Sequence, residues 1–352
     1  MPLLNTMIER LSARISSAQT PYDHFIYFAD VHYKSNTLNT GFEKILTQIS
    51  QEKDSTLFIL IGGDMIDSGS VTNYTAFVNR CDQFYNQTGI PIISTMGNHE
   101  FYGVNVGVNE ISRYKKYMGE INFPLRIPSS GLGDSVSIVA FNDAKPHKLE
   151  KIIYPNISKG CVNRSNTKHL FYFPHNYIRF SSLAPEKYSH FPDYLNSASA
   201  NSNHIIVTMH VPPRKNPLSN MLDTFIRNEY SHCLAVNPVI SPSALQAYYR
   251  NLWMLVHGNS TADKNDSTQW FVDQIKNRSK VELVLMGHVH TYYTFPLTEA
   301  NHNLQMVISG GGGNNSAQTY DNAQPVTKYH YIRVKYDAGL NRFVTNKVNV
   351  RS

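Results

Sequence analysis

Residues 56–67 read TLFILIGGDMID, and this stretch decides the fold. Residues 57–61 are a continuous apolar run of strand length that Gly62 and Gly63 close, which is typical of a strand buried on both faces of a parallel sheet. Asp64 follows at once. Because α/β sheets form their sites at the carboxyl ends of the strands, this carboxylate is predicted to lie in a functional crevice.

The flanking segments alternate between strand and helix patterns. Residues 24–29 and 90–95 are short β-rich runs, whereas residues 41–50 and 71–85 carry apolar residues at helical spacing. This alternation predicts βαβ units and a parallel sheet. The later pattern predicts helices over 110–118, 243–256 and 267–278, and strands over 135–141, 204–209, 281–286, 291–295, 304–309, 330–336 and 342–348.

No linker or internal repeat divides the chain, so we expect one α/β domain over residues 1–352. Residues 103–202 give weak and mixed signals. We interpret them as an insertion that shapes the substrate site.

Composition excludes several classes of protein. Hydrophobic residues make up 41% of the chain and charged residues 16%, which excludes a disordered tail, a collagen and a coiled coil. The basic residues behind the net charge of +6 are scattered, so a nucleic-acid partner is not favoured. No apolar stretch has the roughly 20 residues of a membrane span.

The three cysteines lie far apart and form no CxxC pair, which argues against a zinc ribbon or a redox motif. Residues 1–20 lack the continuous apolar core of a signal peptide. Both observations favour a cytoplasmic protein, with export left open as an alternative.

Polar side chains follow five of the predicted strands. They are carboxylates, imidazoles and one carboxamide: Asp30, His32, Asp64, Asn98, His99, Glu100, His210, His288 and His290. Oxygen and nitrogen donors without a thiolate suit divalent Mn, Fe, Co or Zn. This number of donors is larger than one tetrahedral ion can bind. The set therefore predicts two ions that share a bridging carboxylate.

In its order and spacing, this pattern resembles the calcineurin-like metallophosphoesterase superfamily. The matching motifs are Asp30-x-His32, Gly63-Asp64-x-x-Asp67, Gly97-Asn98-His99-Glu100, His210 and Gly287-His288-x-His290. The resemblance implies a four-layer α/β/β/α sandwich of two mixed sheets, with a dinuclear metal centre at the strand carboxyl ends. It also implies two sets of ligands with Asp64 bridging them: Asp30, His32 and His290 for one ion, and Asn98, His210 and His288 for the other.

The chain departs from the purple acid phosphatase branch of this superfamily. His32 stands where that branch has glycine, and Asp67 stands where it has a ligating tyrosine. A tyrosinate–iron colour is therefore not expected. We interpret Asp67 as a helix N-cap ahead of Val71 or as a support for a ligand.

The resemblance implies hydrolysis of a phosphate ester by a metal-activated water. In this interpretation His99 is no ligand but meets the phosphate or the leaving group as an imidazolium. The predicted catalytic residues are His99 and Glu100, and the predicted substrate-binding residues are Asn98, His99 and Asn142. Glu100 has a second interpretation, as an acceptor that orients an imidazole.

A small anionic phosphomonoester is the favoured substrate. The alternatives are a phosphodiesterase acting on nucleotide or lipid head-group esters, and a non-catalytic binding module on the same fold. Tyr102, Arg214 and Tyr292 are candidates for the pocket wall because they adjoin the motifs. We interpret the glycine run at residues 310–313 as a turn rather than as a phosphate cradle.

Overall fold

The computed structural model describes twelve stretches of the chain: residues 1–101, 108–142, 152–154, 169–171, 190–212, 267–288, 290, 292–297, 299–313, 320–321, 324–325 and 329–350. The helix predicted over 243–256 and the wall candidates Tyr102 and Arg214 lie outside these residues.

Within the described residues, five strands form a mixed sheet in the order β15-β14-β1-β2-β3. The first three strands in the chain are parallel, and β14 pairs antiparallel with β1. The bounds are β1 His24–Phe28, β2 Thr56–Ile61, β3 Ile92–Ser94, β14 His330–Asp337 and β15 Arg342–Asn349. The helices beside this sheet are α1 Leu3–Ser17, α2 Thr40–Ser50 and α3 Val71–Thr88.

A second mixed sheet has eight described strands in the order β13-β12-β10-β11-β9-β8-β5-β4. Its central strands β5, β8, β9 and β11 are parallel. The bounds are β4 Phe123–Ile127, β5 Val136–Ala140, β8 His204–Thr208, β9 Val281–Met286, β10 Tyr292–Pro296, β11 Gln305–Ser309, β12 Tyr320–Asp321 and β13 Gln324–Pro325. A separate pair consists of β6 Ile152–Tyr154 and β7 His169–Phe171.

The remaining described helices are α4 Val108–Tyr117, α5 Ser129–Leu132, α6 His190–Asn201 and α7 Ser267–Ile275, with a 3₁₀ turn at His99–Phe101. On the second sheet, Phe141 stacks on Phe191 of α6 and on Phe271 of α7. Strands β9 and β11 of that sheet contact β15 and β14 of the first. Helices thus flank two facing sheets, which confirms the four-layer sandwich. No described helix is both long and apolar enough to cross a bilayer.

The insertion at residues 103–202 stays a prediction as a region that shapes the substrate site, but part of this segment belongs to the second sheet. Strands β4 and β5 from this segment are integral to the second sheet, and α6 packs against them. Only residues 143–189 are left as a candidate for an insertion, and of these the structure describes β6 and β7. Helix α1 was not predicted, although its buried residues Leu3, Leu4, Met7 and Leu11 form one stripe.

The interpretation of Asp67 as a helix cap is wrong. Helix α3 begins after Ser70, whose hydroxyl accepts the backbone N–H of Asn73 at 3.2 Å. Serine at this position supplies the acceptor that the first turn of a helix lacks. The side chain of Asp67 therefore does not cap α3.

A buried polar cluster joins the two sheets at the amino end of β8. His204 Nδ1 lies 2.6 Å from Glu282 Oε1, and its Nε2 lies 3.3 Å from Asp134 Oδ2. Glu282 Oε2 accepts the N–H of Phe343 on the opposite sheet at 2.8 Å. Burial acts to lower the pKa of His204, but hydrogen bonds and charge from Glu282 and Asp134 outweigh it and raise the pKa above 6.5.

Replacement of His204 by Gln should therefore destabilise the fold in a pH-dependent way. A histidine with a raised folded-state pKa stabilises fully below its unfolded pKa, and this contribution is lost as pH rises through the folded pKa. We expect the free energy of unfolding to fall by about 2 kcal/mol at about pH 5.5, a value moderated by the partial exposure of Asp134. At about pH 9 we expect a smaller decrease.

Urea unfolding at the two pH values measures this difference, with His190→Gln, an exposed histidine in α6, as control. A loss that is equal at both values would show that the charge of His204 does not contribute.

Candidate metal centre

The carboxyl ends of β1, β2, β3, β8 and β9 meet at one place. The segment after β1 runs beside the segment after β2, with the N–H of Asp30 donating to Gly63 O at 3.2 Å and that of His32 donating to Asp64 O at 2.9 Å. From the second sheet, the N–H of His288 donates to Asp30 Oδ2 at 2.9 Å. Hydrogen bonds from backbone N–H groups therefore tie these ligand segments to one another.

Asp30, His32 and His290 form the first group of candidate ligands, with one ligand atom from each within 4.8 Å of the others. His32 Nε2 and His290 Nε2 lie 3.2 Å apart. Asp30 Oδ1 lies 3.4 Å from His290 Nε2 and 3.9 Å from His32 Nε2. These are the three residues that the sequence assigned to one ion.

Asp64, His210 and His288 form the second group by the same criterion. Asn98 joins it, because its Oδ1 lies 3.1 Å from His210 Nε2 and 2.8 Å from His288 Nδ1. The structure thus brings together the three residues that the sequence assigned to the other ion.

Asp64 stands between the two groups. Its Oδ2 lies 3.2 Å from His210 Nε2 and 3.8 Å from His32 Nε2, one imidazole from each group. Its Oδ1 accepts the backbone N–H of His99 at 2.7 Å, which fixes the orientation of the carboxylate. This position suits a bridging ligand.

The donor set fits a pair of cations. His210 Nδ1 donates to the carbonyl of Gly62 at 2.8 Å, so in the neutral ring Nε2 carries a lone pair. That lone pair faces the oxygen atoms of Asn98 and Asp64, which are acceptors as well. Such a convergence of buried lone pairs is favourable when a cation lies between them.

The backbone at the candidate ligands is strained. In the described part of the chain, five residues other than glycine have positive φ, and four of them are candidate ligands: Asp30 at 65°, His32 at 51°, Asp64 at 49° and His288 at 67°. This left-handed conformation costs about 1–3 kcal/mol at each such residue and persists where surrounding contacts enforce it. The clustering of strain supports the hypothesis that this is a functional site.

Glycine permits the close approach of the ligand loops. A Cβ on Gly63, where φ is 91°, would stand 2.6 Å from His210 Nδ1. A Cβ on Gly97 would collide with the backbone nitrogen of Asp64. A side chain at Gly63 would push the two sheets apart at the site, and one at Gly97 would push apart the loops after β2 and β3.

Charges in the site suit metal binding near neutral pH. Burial opposes ionisation of Asp30, but His290 and His32 hold the pKa of this carboxyl far below 3.8. Burial likewise opposes ionisation of Asp64, whose pKa His210 and His99 hold well below 3.8. Burial lowers the pKa of His288 to about 3, so its imidazole is neutral and its lone pair is available.

His99 is anchored by a backbone carbonyl rather than by a carboxylate. Its Nδ1 donates to Asp67 O at 2.8 Å, and its Nε2 lies 3.9 Å from Asp64 Oδ2. Together with Asp64 and His32 it satisfies the same 4.8 Å criterion, so geometry alone also permits a ligand role. Burial lowers the pKa of His99 to about 4, and the imidazolium form requires a nearby anion.

Glu100 braces two ligand loops. It is fully buried and accepts the backbone N–H groups of Gly97 at 2.6 Å, Asp64 at 3.1 Å and Ile66 at 3.2 Å. Burial is the main cause that raises the pKa of Glu100 to about 8, and the negative charge of Asp64 is the second cause. These contacts favour Glu100 as a positioning residue for the two loops, and its predicted catalytic role and contact with an imidazole stay predictions.

The structure also describes Asn142, Tyr292 and the glycine run, which the sequence named as possible parts of the site. Asn142 follows β5 at the same edge, where its N–H donates to Asn122 Oδ1 at 2.6 Å, and its role in substrate binding stays a prediction. Tyr292 opens β10 two residues after His290 and is partly exposed. The glycine run at 310–313 is buried, and Gly312 donates its N–H to Ala29 O at 2.8 Å, so its described role is close packing behind Asp30.

Comparison with known sequences agrees with this geometry. The sequence model of the calcineurin-like phosphoesterase family (Metallophos) matches residues 24–292, well over half of the 352-residue chain. The chain therefore belongs to the calcineurin-like phosphoesterase family. A comparison with curated proteins finds no match.

Solved structures with a similar fold are distant in sequence. A dimetal phosphatase from Danio rerio is 11% identical, with a TM-score of 0.49 over 94% of this chain and 98% of that chain. GAP50, described as the anchor in the inner membrane complex of Plasmodium, is 12% identical, with a TM-score of 0.47 over 94% and 85%. These likenesses concern the fold alone.

Replacement of Glu100 by Gln tests its bracing role. Gln keeps the shape of the side chain but turns an amide donor toward one of the three backbone N–H groups that Glu100 accepts. We expect affinity for Mn²⁺ to fall by about tenfold, the lower range for loss of a residue that supports metal ligands.

Calorimetric titration with Mn²⁺ measures this affinity, and turnover is compared at saturating metal. Unchanged affinity with slow turnover would support the catalytic role that the sequence predicted.

Proposed function

We propose that this chain is a metal-dependent phosphoesterase that hydrolyses a phosphomonoester at a dinuclear centre. The observation that carries the proposal is the position of Asp64 between two groups of nitrogen and oxygen donors. Asp30, His32 and His290 would hold one divalent ion, and Asn98, His210 and His288 would hold the other. The donor set suits Mn, Fe, Co or Zn.

When bound, the two cations would lower the pKa of a water and offset negative charge on the phosphoryl group. The chain supplies the geometry for this chemistry. Asp64 fixes the spacing of the two groups, and Asn98 turns its carboxamide oxygen inward between two imidazoles. The backbone contacts of Glu100 hold both loops in place before the substrate arrives.

His99 would act on the substrate rather than on the metal. Its Nδ1–H is held by Asp67 O, so Nε2 is the nitrogen that faces the reacting group. A dianionic phosphoryl group beside Nε2 would raise the pKa of the ring and let it donate a proton to the leaving oxygen. This anchored imidazole, with 23% of its side chain exposed, favours a catalyst over a non-catalytic binding module.

The charge balance favours a monoester over a diester. A monoester carries two negative charges and a diester carries one, so a pair of divalent cations attracts the monoester more strongly. The experiment that tests the proposal is a screen of the metal-reconstituted protein against an aryl monoester, an aryl diester and nucleotides. Preferential hydrolysis of the diester would favour the alternative phosphodiesterase.

Asp64→Ala should release both metals. Because Asp64 Oδ2 approaches one imidazole from each group, its loss weakens both positions together. We expect metal content by mass spectrometry to fall at both positions and turnover to be lost. Retention of full metal content and full rate would refute the bridging role.

His99→Ala should separate binding from catalysis. The variant keeps the other candidate ligands, so we expect normal metal content and a fall in kcat of about 10²–10⁴-fold, the range for loss of a general acid. His190→Ala, which removes an exposed histidine, is the matched control. Loss of a metal ion from His99→Ala would instead identify His99 as a ligand.

A further inference from the structure

An ion pair lies beside the candidate metal centre. Lys34 Nζ is 3.3 Å from Asp67 Oδ1, and the two side chains are 46% and 37% exposed. Lys34 comes two residues after His32, and Asp67 comes three residues after Asp64. The pair therefore places an ammonium and a carboxylate at partly exposed positions on the two loops that carry these candidate ligands.

Backbone contacts connect this pair to the proposed catalytic histidine. The carbonyl of Asp67 accepts from His99 Nδ1 at 2.8 Å, and the N–H of Asp67 donates to Tyr33 O at 3.1 Å. Lys34 directly follows Tyr33. The ammonium of Lys34 and the imidazole of His99 thus both contact Asp67, the first through its carboxylate and the second through its backbone carbonyl.

The main chain at Lys34 is held firmly, whereas its ammonium is not buried. The N–H of Lys34 donates to Asn39 Oδ1 at 2.9 Å, and Asn39 Nδ2 donates back to Lys34 O at 2.9 Å. The next residue, Ser35, donates its N–H to Asn73 Oδ1 at 3.1 Å. The side chain of Lys34 therefore extends from a backbone that is held in place. Its exposed ion pair is weak enough for another anion to replace Asp67.

Two other described cations near these loops are occupied by their own contacts. Arg80 makes a bidentate pair with Glu43 at 2.7 and 2.6 Å. Arg113 donates to the carbonyl of Gly69 at 2.6 Å and supports the loop before α3. Lys34 is the better candidate for a substrate contact, because its partner is an exposed carboxylate.

We propose that Lys34 is a specificity-determining residue that binds a second anionic group on the leaving part of the substrate. The inference rests on the proposed function, since it places the leaving group beside His99. A carboxylate or a further phosphate there would replace Asp67 as the partner of Lys34. Asp67 holds the ammonium when no such group is present and competes with the substrate for it.

The test compares two aryl monophosphates that differ only by a carboxylate on the aryl ring. The measured quantity is the ratio of kcat/KM for the carboxylated ester to kcat/KM for the neutral ester. We expect Lys34→Ala to lower this ratio by about fivefold and Asp67→Asn to raise it by about twofold, in the range of one exposed charge contact. Added salt should lower the ratio in the wild-type protein.

Lys44→Ala is the matched control, because Lys44 is an exposed lysine on α2. The opposite signs for the two variants are decisive. A pair that only stabilises the fold would give changes in the same direction for Lys34→Ala and Asp67→Asn, and that result would overturn the proposal. An unchanged ratio in Lys34→Ala would overturn it as well.

Binding of the two corresponding aryl phosphonates, measured by calorimetry, supplies a readout that needs no turnover. Lys34→Ala should lose affinity for the carboxylated phosphonate and not for the neutral one. If the wild-type protein hydrolyses neither ester, the proposed function fails, while the phosphonates still test Lys34. If it hydrolyses both but the affinities of Lys34→Ala match those of the wild type, only the role of Lys34 fails.

Discussion

The structure depends on the placement of one buried carboxylate, that of Asp64, where the two sheets meet. A buried charge is costly unless it is paired and hydrogen-bonded. Asp64 satisfies this condition through the N–H of His99 on one oxygen and surrounding imidazoles on the other. Because those imidazoles come from both sheets, the carboxylate connects the carboxyl ends of the two halves of the sandwich.

Holding Asp64 there requires backbone that L-amino acids rarely adopt. Positive φ at Asp64 and at three neighbouring candidate ligands is a conformational cost that only converging contacts can maintain. The structure provides these contacts through backbone pairing of the two ligand loops, through Glu100 and through the missing side chain at Gly97. These contacts hold the candidate ligands in one arrangement, and preorganised catalysis requires such support.

Sequence reasoning succeeded where the signal is local. The strand at residues 57–61 and the ligands after it follow from an apolar run, two glycines and a carboxylate. The residues of β4 alternate between buried and exposed, but Pro124 within this short segment argues against a strand in the sequence. Helix α1 has no side-chain cap, so only the spacing of its apolar stripe could have revealed it.

The role of Glu100 could not be predicted in the same way. Its partners are backbone N–H groups on two loops. Every residue except proline has such a group, so these contacts cannot be recognised from the side chains in the sequence. The same holds for His99, which is anchored by the carbonyl of Asp67 and not by the carboxylate that the motif displays. The sequence thus reveals candidate metal ligands more readily than the residues that position those ligands.

Differences in substrate choice must then arise outside the ligand set. Asp30, Asp64 and His210 are almost completely buried and closely surrounded, so a change at any of them alters the site itself. Side chains at the rim are exposed and can change without disturbing the strained loops. In this chain the rim carries a lysine and a carboxylate paired beside the anchored imidazole. In the proposed function, that arrangement would let one set of ligands serve different leaving groups, because the charge that selects among them would be separate from the charge that binds the metal.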